Sequence, residues 1–326
     1  MNEFELIERF FTRPAKSASV ALGVGDDAAL LVPTPGHQLA VSVDMLVAGR
    51  HFFADADAEA LGHKTLAVNL SDMAAMGATP RWALLAGALP DVDPAWLAAF
   101  ARGFYALADA HGVDLVGGDT TRGPLNLCVT IIGEVPAGQA ITRAGARIGD
   151  DVYVSGQLGA AALALAAIGG RTTLDPAALG ACRARLERPL PRVALGEALR
   201  GVATAMLDVS DGLTGDLAHI LDASRVGAVV DLAAVPCGSA LAAKLAGAER
   251  ALALSCLLAG GDDYELCFTA PPSASARVAA IAAEVGVALP RIGLIQAGGG
   301  LVVRDAKGEP MAALPHGFDH FRAGDA

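Results

Sequence analysis

Carboxylates beside glycines and at the ends of apolar runs are the feature of this sequence best suited to chemistry. Six motifs carry them: Gly25-Asp26-Asp27, Ser42-Val43-Asp44, Ser71-Asp72, Gly117-Gly118-Asp119, Asp208-Val209-Ser210-Asp211 and Gly260-Gly261-Asp262-Asp263. Such acids are predicted to lie where the backbone turns tightly and a ligand can approach closely. Gathered carboxylates repel each other unless cations neutralise them, and Mg²⁺ prefers oxygen ligands together with substrate phosphates. The motifs therefore predict several Mg²⁺ ions holding a polyphosphate.

The alternative for each motif is an ordinary turn or helix-cap aspartate, and for a single motif the two interpretations are about equally favoured. A structural role for all six is disfavoured, because DVSDGL and GGDDYEL each carry two acids directly after an apolar run.

Residues 64–76 form a predicted helix that is apolar on nearly every face. Thr65, Asn69 and Asp72 recur at helical spacing and fall on one side of it. A helix this apolar is mostly buried, so its polar stripe is predicted to line a cleft. The alternative is an exposed edge of a core helix.

Several catalytic signatures are missing from the chain. It has no GxxxxGK[ST] phosphate loop, no protein-kinase motif set and no GxSxG elbow. GVGDDA at 23–28 lacks the third glycine of a dinucleotide fingerprint and places two acids where a pyrophosphate would sit. Phosphate binding through metal ions remains the better interpretation.

The overall composition of the chain argues against several classes of protein, namely nucleic-acid binders, membrane proteins and secreted proteins. The chain has 326 residues, 53% of them hydrophobic, and a net charge of -11, which argues against a nucleic-acid binder. No run of about 18 uncharged apolar residues predicts a membrane span, and the acidic start MNEFELIERFF does not resemble a signal peptide. Five scattered cysteines without a CxxC pair fit reduced thiols. We expect a cytoplasmic protein that binds neither membrane nor nucleic acid.

The pattern of elements predicts an α/β fold of two domains, 1–137 and 138–326, with an active-site cleft between them. Apolar runs at 39–46, 82–89 and 125–135 predict strands, and Asp93-Pro94 opens a helix that ends before Gly112. The second half begins with a strand at 151–156. Further strands are predicted at 204–208, 226–231, 264–269 and 300–304, and helices at 191–200, 212–224, 238–247 and 274–285.

The chain resembles the thiamine-monophosphate kinase family over nearly its whole length. Eight blocks occur in order: GVGDDAALL (23–31), SVDMLVAGRHF (42–52), KTLAVNLSDMAAMGATP (64–80), GGDTTRGP (117–124), TRAGARIGDDVYVSG (142–156), DVSDGLTGDLAHI (208–220), GGDDYELCF (260–268) and GFDHF (317–321). The resemblance implies an N-terminal mixed sheet that joins its twin in a homodimer barrel. It also implies Mg-dependent transfer of a phosphoryl group from ATP to thiamine monophosphate, the last step of thiamine diphosphate biosynthesis.

The resemblance also implies site residues. The implied Mg²⁺ ligands are Asp27, Ser42, Val43 through its carbonyl, Asp44, Asp72, Asp119, Asp208 and Asp211. The implied ATP contacts are Gly118, Asp119, Arg143 and Ser210. His51, Asp262 and Phe318 would contact thiamine monophosphate, and no residue would act as a general base. From residue type alone, His51 and Phe318 would be structural and Arg143 a surface arginine.

Three positions depart from the family, which often has Thr at Val43, Glu at Asp262, and Tyr or Trp at Phe318. None removes a metal carboxylate, so activity is expected, with substrate affinity the property most affected.

Selenophosphate synthetase is disfavoured because the first cysteine is Cys128. Aminoimidazole ribonucleotide synthetase is disfavoured by GGDTTRG and GGDDYEL. A non-catalytic regulator that binds the same ligands is the alternative of a different class.

Overall fold

A computed structural model describes residues 2–315. The chain divides into two compact units. Unit 1 comprises the residues up to Met73 together with Ala78–Gly138, and unit 2 comprises Ala74–Gly77 and the residues from Gln139 onward. The mixed α/β fold predicted from the sequence is confirmed, whereas the cleft and the shared barrel stay predictions.

Unit 1 is built on a four-stranded mixed sheet. In chain order its elements are α1 (Glu3–Leu6), β1 (Val20–Leu22), β2 (Leu30–Leu31), β3 (His37–Val47), α2 (Ala58–Ala75), β4 (Thr79–Leu89), α3 (Pro94–His111), β5 (Asp114–Arg122) and β6 (Asn126–Pro136). The sheet order is β3-β6-β4-β5, with β4 and β5 parallel and the other pairs antiparallel. β1 and β2 form a separate short pair. The sheet therefore has β3 and β5 as its two edges.

Helices α2 and α3 cross at a very short distance. A Cβ on Gly62 would lie 2.0 Å from the carbonyl oxygen of Phe100, and one on Gly103 would lie 1.8 Å from that of Glu59. Only glycine permits such backbone approach. Helix α3 begins and ends where the sequence predicted. Asp93 caps its first turn, Pro94 is its first residue and Gly112 ends it in the left-handed conformation.

Unit 2 is built on a six-stranded sheet of order β12-β9-β11-β7-β10-β8. Its strands are β7 (Asp151–Val154), β8 (Ala205–Val209), β9 (Gly227–Asp231), β10 (Glu265–Ala270), β11 (Arg291–Gln296) and β12 (Gly300–Arg304). All neighbours are antiparallel except β12 and β9. Every residue of β7, β8 and β10 is buried, so these strands form the core of the unit.

Seven helices of unit 2 connect these strands within the described residues. They are α4 (Ala160–Ile168), α5 (Pro176–Glu187), α6 (Val193–Ala198), α7 (Leu213–Ser224), α8 (Ser239–Ala246), α9 (Arg250–Ala259) and α10 (Ser275–Val285). The sequence had indicated most of the helices of unit 2, but not α5 and α9. Strand β11 of unit 2 and the elements α1, β1, β2 and β5 of unit 1 were not predicted either. Over the part of the chain that the structure describes, no helix has the length and apolar character needed to cross a membrane.

Candidate functional site

In unit 1, strand β3 and helix α2 bring together three of the predicted acidic or hydroxyl ligands. Ser42 Oγ donates a hydrogen bond of 2.5 Å to Asp72 Oδ2. The backbone N–H of Asp44 donates to Asn69 Oδ1 at 3.2 Å, which ties the strand to the helix one turn from Asp72. Ser42, Asp44 and Asp72 are half-buried. This cluster offers several hard oxygen atoms of the kind that Mg²⁺ binds.

The prediction that the polar stripe of α2 lines a cleft is wrong for two of its three members. Thr65 and Asn69 are fully buried. The Thr65 hydroxyl donates to the carbonyl of Leu61, and Asn69 Nδ2 donates to that of Thr65. Buried polar groups need partners, and here the backbone of the helix supplies them. Only Asp72 keeps a partly accessible side chain.

His51 follows β3 in a turn that determines the tautomer of its ring. Its Nδ1 accepts a hydrogen bond of 3.0 Å from the backbone N–H of Val47, so the proton of the neutral ring lies on Nε2. Lys64, which is nearly completely buried, donates to the His51 carbonyl at 3.2 Å. The ring can therefore offer Nε2–H as a hydrogen-bond donor. Val43 directs its exposed side chain to the face opposite Ser42 and Asp44.

A cavity of about 530 Å³ lies in unit 1. Its polar lining includes Asp27, Gly118 and Asp119, and its apolar lining includes Phe11 and Trp96. Gly118 has a φ of +148°, and a Cβ there would lie 1.8 Å from the carbonyl oxygen of Leu85. The backbone at Gly118 therefore requires glycine, which keeps the edge of the cavity clear of a side chain.

Asp44 and Asp119 lie within strands β3 and β5, and not at the strand ends where the motifs had predicted tight turns. The register places Asp44 opposite Val129, Val129 opposite Leu85, and Leu85 opposite Gly118. Three strand spacings amount to about 14 Å. The sheet of one chain thus holds Asp44 and the Gly118-Asp119 pair at opposite edges. Among the described residues, no three His, Cys, Asp or Glu side chains form a group that could hold a metal ion.

In unit 2, Asp208 lies near the end of β8, and the loop after β8 carries Ser210 and Asp211 and is organised by one buried carboxylate. Asp216 Oδ2 accepts hydrogen bonds from the backbone N–H groups of Ser210, Asp211 and Gly212 at 3.1, 3.0 and 3.0 Å. Burial raises the pKa of Asp216 to about 7, and the charge of Asp211 adds to the rise while the three N–H groups oppose it. Asp208 is buried and Asp211 exposed.

Arg143 and Asp262 occupy two further loops of unit 2. The Arg143 carbonyl accepts from Ser224 Oγ, which in turn accepts from Gly145 and Ala146, so the turn is anchored while the Arg143 side chain is exposed. Asp262 is half-buried, and its N–H donates to the Ser210 carbonyl at 2.9 Å. This bond links the Asp262 loop to the Ser210 loop. Phe318 lies outside the described residues.

Sequence reasoning missed the roles of Asp216 and Lys64, and it placed Asn69 beside a cleft although the structure buries it. A signal existed for Asp216, because an acid in the first turn of a helix can accept the free N–H groups at its start. A lysine inside an apolar helix was the corresponding signal for Lys64. For Asn69 the helical spacing was recognised, but its burial depended on packing.

Comparison with protein-family models shows which class of protein has this fold of two units. Residues 25–135 match the AIR synthase related protein N-terminal domain, and residues 147–306 match the corresponding C-terminal domain. The chain is an AIR synthase related protein with both domains present.

Individual relatives identify the family within that class. The chain is 45% identical to thiamine-monophosphate kinase of Escherichia coli (strain K12) over 323 residues, which cover 98% of each sequence. It is similar to the crystal structure of thiamine-monophosphate kinase from Stenotrophomonas maltophilia K279a, with 47% identity, a TM-score of 0.86 and coverage of 95% and 98%. It is also similar to a structure of AaThiL complexed with AMPPCP and TMP, with 28% identity, a TM-score of 0.77 and 89% coverage of both chains. The chain belongs to the thiamine-monophosphate kinase family.

Proposed function

We propose that this enzyme transfers the γ-phosphoryl group of ATP directly to the phosphate of thiamine monophosphate, forming thiamine diphosphate and ADP in a Mg²⁺-dependent reaction. The observation that carries the proposal is the Ser42–Asp72 pair beside Asp44, an oxygen-rich cluster between the buried helix α2 and the largely exposed edge strand β3. The AaThiL complex with AMPPCP and TMP supports the choice of substrates. All five cysteines are free thiols, which suits a reducing compartment, and we place the enzyme in the cytoplasm. The reaction would be the last step of thiamine diphosphate biosynthesis.

The reaction needs little acid–base chemistry. An ionised phosphate oxygen of thiamine monophosphate attacks the γ-phosphorus in line, and the bond from that phosphorus to the ADP oxygen breaks. No general base is required, because the nucleophile carries no proton to remove at neutral pH. The residues of the chain therefore act by holding two anionic reactants in position.

The proposed residues divide this task between the units. The forked guanidinium of Arg143 would bind phosphate oxygens of ATP, with Ser210 and the Gly118-Asp119 backbone as further contacts. His51 would donate Nε2–H to thiamine monophosphate, and Asp262 would accept from it. Phe318 would stack on a thiamine ring.

Magnesium fits the donor set by chemistry, because every proposed ligand presents oxygen. Asp27, Ser42, the Val43 carbonyl, Asp44, Asp72 and Asp119 would supply ligands from unit 1, and Asp208 and Asp211 from unit 2. Bound Mg²⁺ would neutralise the phosphates that repel each other. Because no group of three acidic or imidazole side chains converges within the described residues, water and phosphate oxygens would complete each shell.

The cavity of unit 1 supports the position assigned to ATP. It adjoins Asp27, Gly118 and Asp119 and continues into an apolar part that includes Phe11 and Trp96. Aromatic side chains beside backbone N–H and C=O groups suit a nucleotide base, which has an apolar face and a polar edge. We therefore place the nucleotide against the Gly118 edge of this cavity.

The test of function is a direct assay. Purified protein with ATP, Mg²⁺ and thiamine monophosphate is expected to form thiamine diphosphate and ADP in equal amounts, measured by chromatography. Excess EDTA should abolish both products, and added Mg²⁺ should restore them. ATP binding without release of either product would contradict the kinase proposal and favour the non-catalytic regulator.

The exposed face of a strand in unit 1 favours binding to a second copy of the chain. Edge strand β3 exposes alternate apolar side chains, Leu39, Val41, Val43 and Met45, each about half or more exposed. A long edge strand with such a face is unusual in a protein that works alone. Two four-stranded sheets could close as an eight-stranded barrel, which would also remove both open edges. We therefore propose a homodimer through unit 1.

A charge on this face should prevent dimerisation. Val41→Glu is expected to change the particle mass, measured by light scattering, from that of two chains to that of one, because a buried, unpaired carboxylate is costly. Leu190→Glu, at an exposed apolar residue of unit 2, is the matched control and should leave the mass unchanged. Equal masses for wild type and Val41→Glu would refute dimerisation through this face.

A further inference from the structure

The segment from Gly260 to Tyr264, between α9 and β10, has a strained backbone. Asp262 and Tyr264 have φ values of 67° and 50°, and only one other described non-glycine residue, Arg225, has a positive φ. This conformation is unfavourable for any residue other than glycine, because the Cβ atom crowds the neighbouring backbone. Strain of this kind persists only where surrounding contacts maintain it, and it concentrates at functional sites.

Three backbone and side-chain contacts maintain the strained segment. The N–H groups of Asp262 and Tyr264 donate to the carbonyls of Ser210 and Val209 at 2.9 and 2.8 Å. Asp263, between them, is buried and accepts from the Gly159 N–H with both carboxylate oxygens, at 3.0 and 2.8 Å. The backbone is therefore anchored on both sides of Asp263. As a result Asp262 stays half-buried while Tyr264 lies in the interior.

The Tyr264 hydroxyl reaches back to the carboxylate of Asp262. Tyr264 Oη donates to Asp262 Oδ1 at 3.1 Å, across only one intervening residue. The phenol is 9% exposed, so its ring has little freedom to move. A hydrogen bond from a rigid donor to a short, charged side chain selects one orientation of that side chain.

We infer that Tyr264 is a positioning residue that orients the Asp262 carboxylate for thiamine monophosphate. The inference rests on the proposed function, in which Asp262 contacts this substrate. Tyr264 touches neither reactant and acts through Asp262. Its loss should therefore weaken binding of thiamine monophosphate and leave the binding of ATP unaffected.

Tyr264→Phe tests this by removing one oxygen atom. The KM for thiamine monophosphate is expected to rise about tenfold, the low end of the range for one lost hydrogen bond to a charged group. The KM for ATP and the kcat should stay within twofold of wild type. Tyr153→Phe is the matched control, because Tyr153 is also buried and its hydroxyl donates to Asp151, again two residues away, at 3.5 Å. The control should change neither KM.

A double-mutant cycle with Asp262→Ala separates positioning from general destabilisation. If Tyr264 acts through Asp262, Tyr264→Phe should add no further rise in KM to the Asp262→Ala protein. Partial unfolding does not mimic this result, because it lowers the amount of active enzyme without raising one KM selectively.

Two kinds of failure are distinguishable. A wild-type protein that forms no thiamine diphosphate refutes the proposed function and this inference with it. An active wild type overturns the inference alone if Tyr264→Phe keeps the wild-type KM, raises both KM values equally, or has the same effect with and without Asp262.

Discussion

Asp72→Asn is expected to lower kcat/KM for thiamine monophosphate by about a thousandfold, a loss of roughly 4 kcal/mol of transition-state stabilisation. Asparagine has the same shape and can still accept the hydrogen bond from Ser42 Oγ, so the fold should remain intact. It lacks the negative charge that would hold Mg²⁺ beside the phosphates. The rate should be measured over a range of Mg²⁺ concentrations, with thermal unfolding to verify the fold.

Asp109→Asn is the matched control for Asp72→Asn. Asp109 is a partly exposed acid of the same unit that pairs with Lys16, so its replacement also removes one charge from unit 1. Its activity should stay within twofold of wild type. If Asp72→Asn retained more than a fifth of wild-type kcat/KM at limiting Mg²⁺, the role proposed for this carboxylate would be wrong.

Asp216→Ala should have the second-largest effect, a fall in kcat/KM of about a hundredfold. The change leaves three backbone N–H groups without their shared acceptor, at about 1–3 kcal/mol for each one that stays buried and unpaired. The loop would relax, and both the proposed ATP contact Ser210 and the proposed Mg²⁺ ligand Asp211 would lose their fixed positions. A higher Mg²⁺ concentration should be needed for half-maximal rate, which kinetic titration measures.

Two further variants make the Asp216 experiment specific. Asp216→Asn keeps a side-chain oxygen that can accept hydrogen bonds from the backbone N–H groups of the loop. Its kcat/KM should therefore be at least tenfold higher than that of Asp216→Ala. Asp222→Ala removes an exposed acid from the same helix and should behave as wild type. Equal activity in Asp216→Ala and wild type would show that the loop holds its conformation without this carboxylate.

The sequence predicted elements best where local chemistry decides them. Helix α3 begins and ends where Asp93, Pro94 and Gly112 indicated, because capping and the left-handed conformation of glycine are properties of a few neighbouring residues. Strands β3, β4 and β6 were found from their long apolar runs. Strand β5 was missed because its glycines and acids read as a turn, and only its pairing with β4 makes it a strand.

Residue types alone were enough to indicate an acidic, phosphate-binding protein of the α/β class, because carboxylate motifs and apolar periodicity are local patterns of the sequence. Tertiary structure decided which acids meet. Asp72 meets Ser42 because helix α2 packs on strand β3, whereas Asp44 and Asp119 occupy opposite edges of one sheet. It also buried Asn69 and set Asp216 and Tyr264 to hold their loops. Pairing register and packing depend on residues far apart in the chain, and local patterns carry no information about such distances.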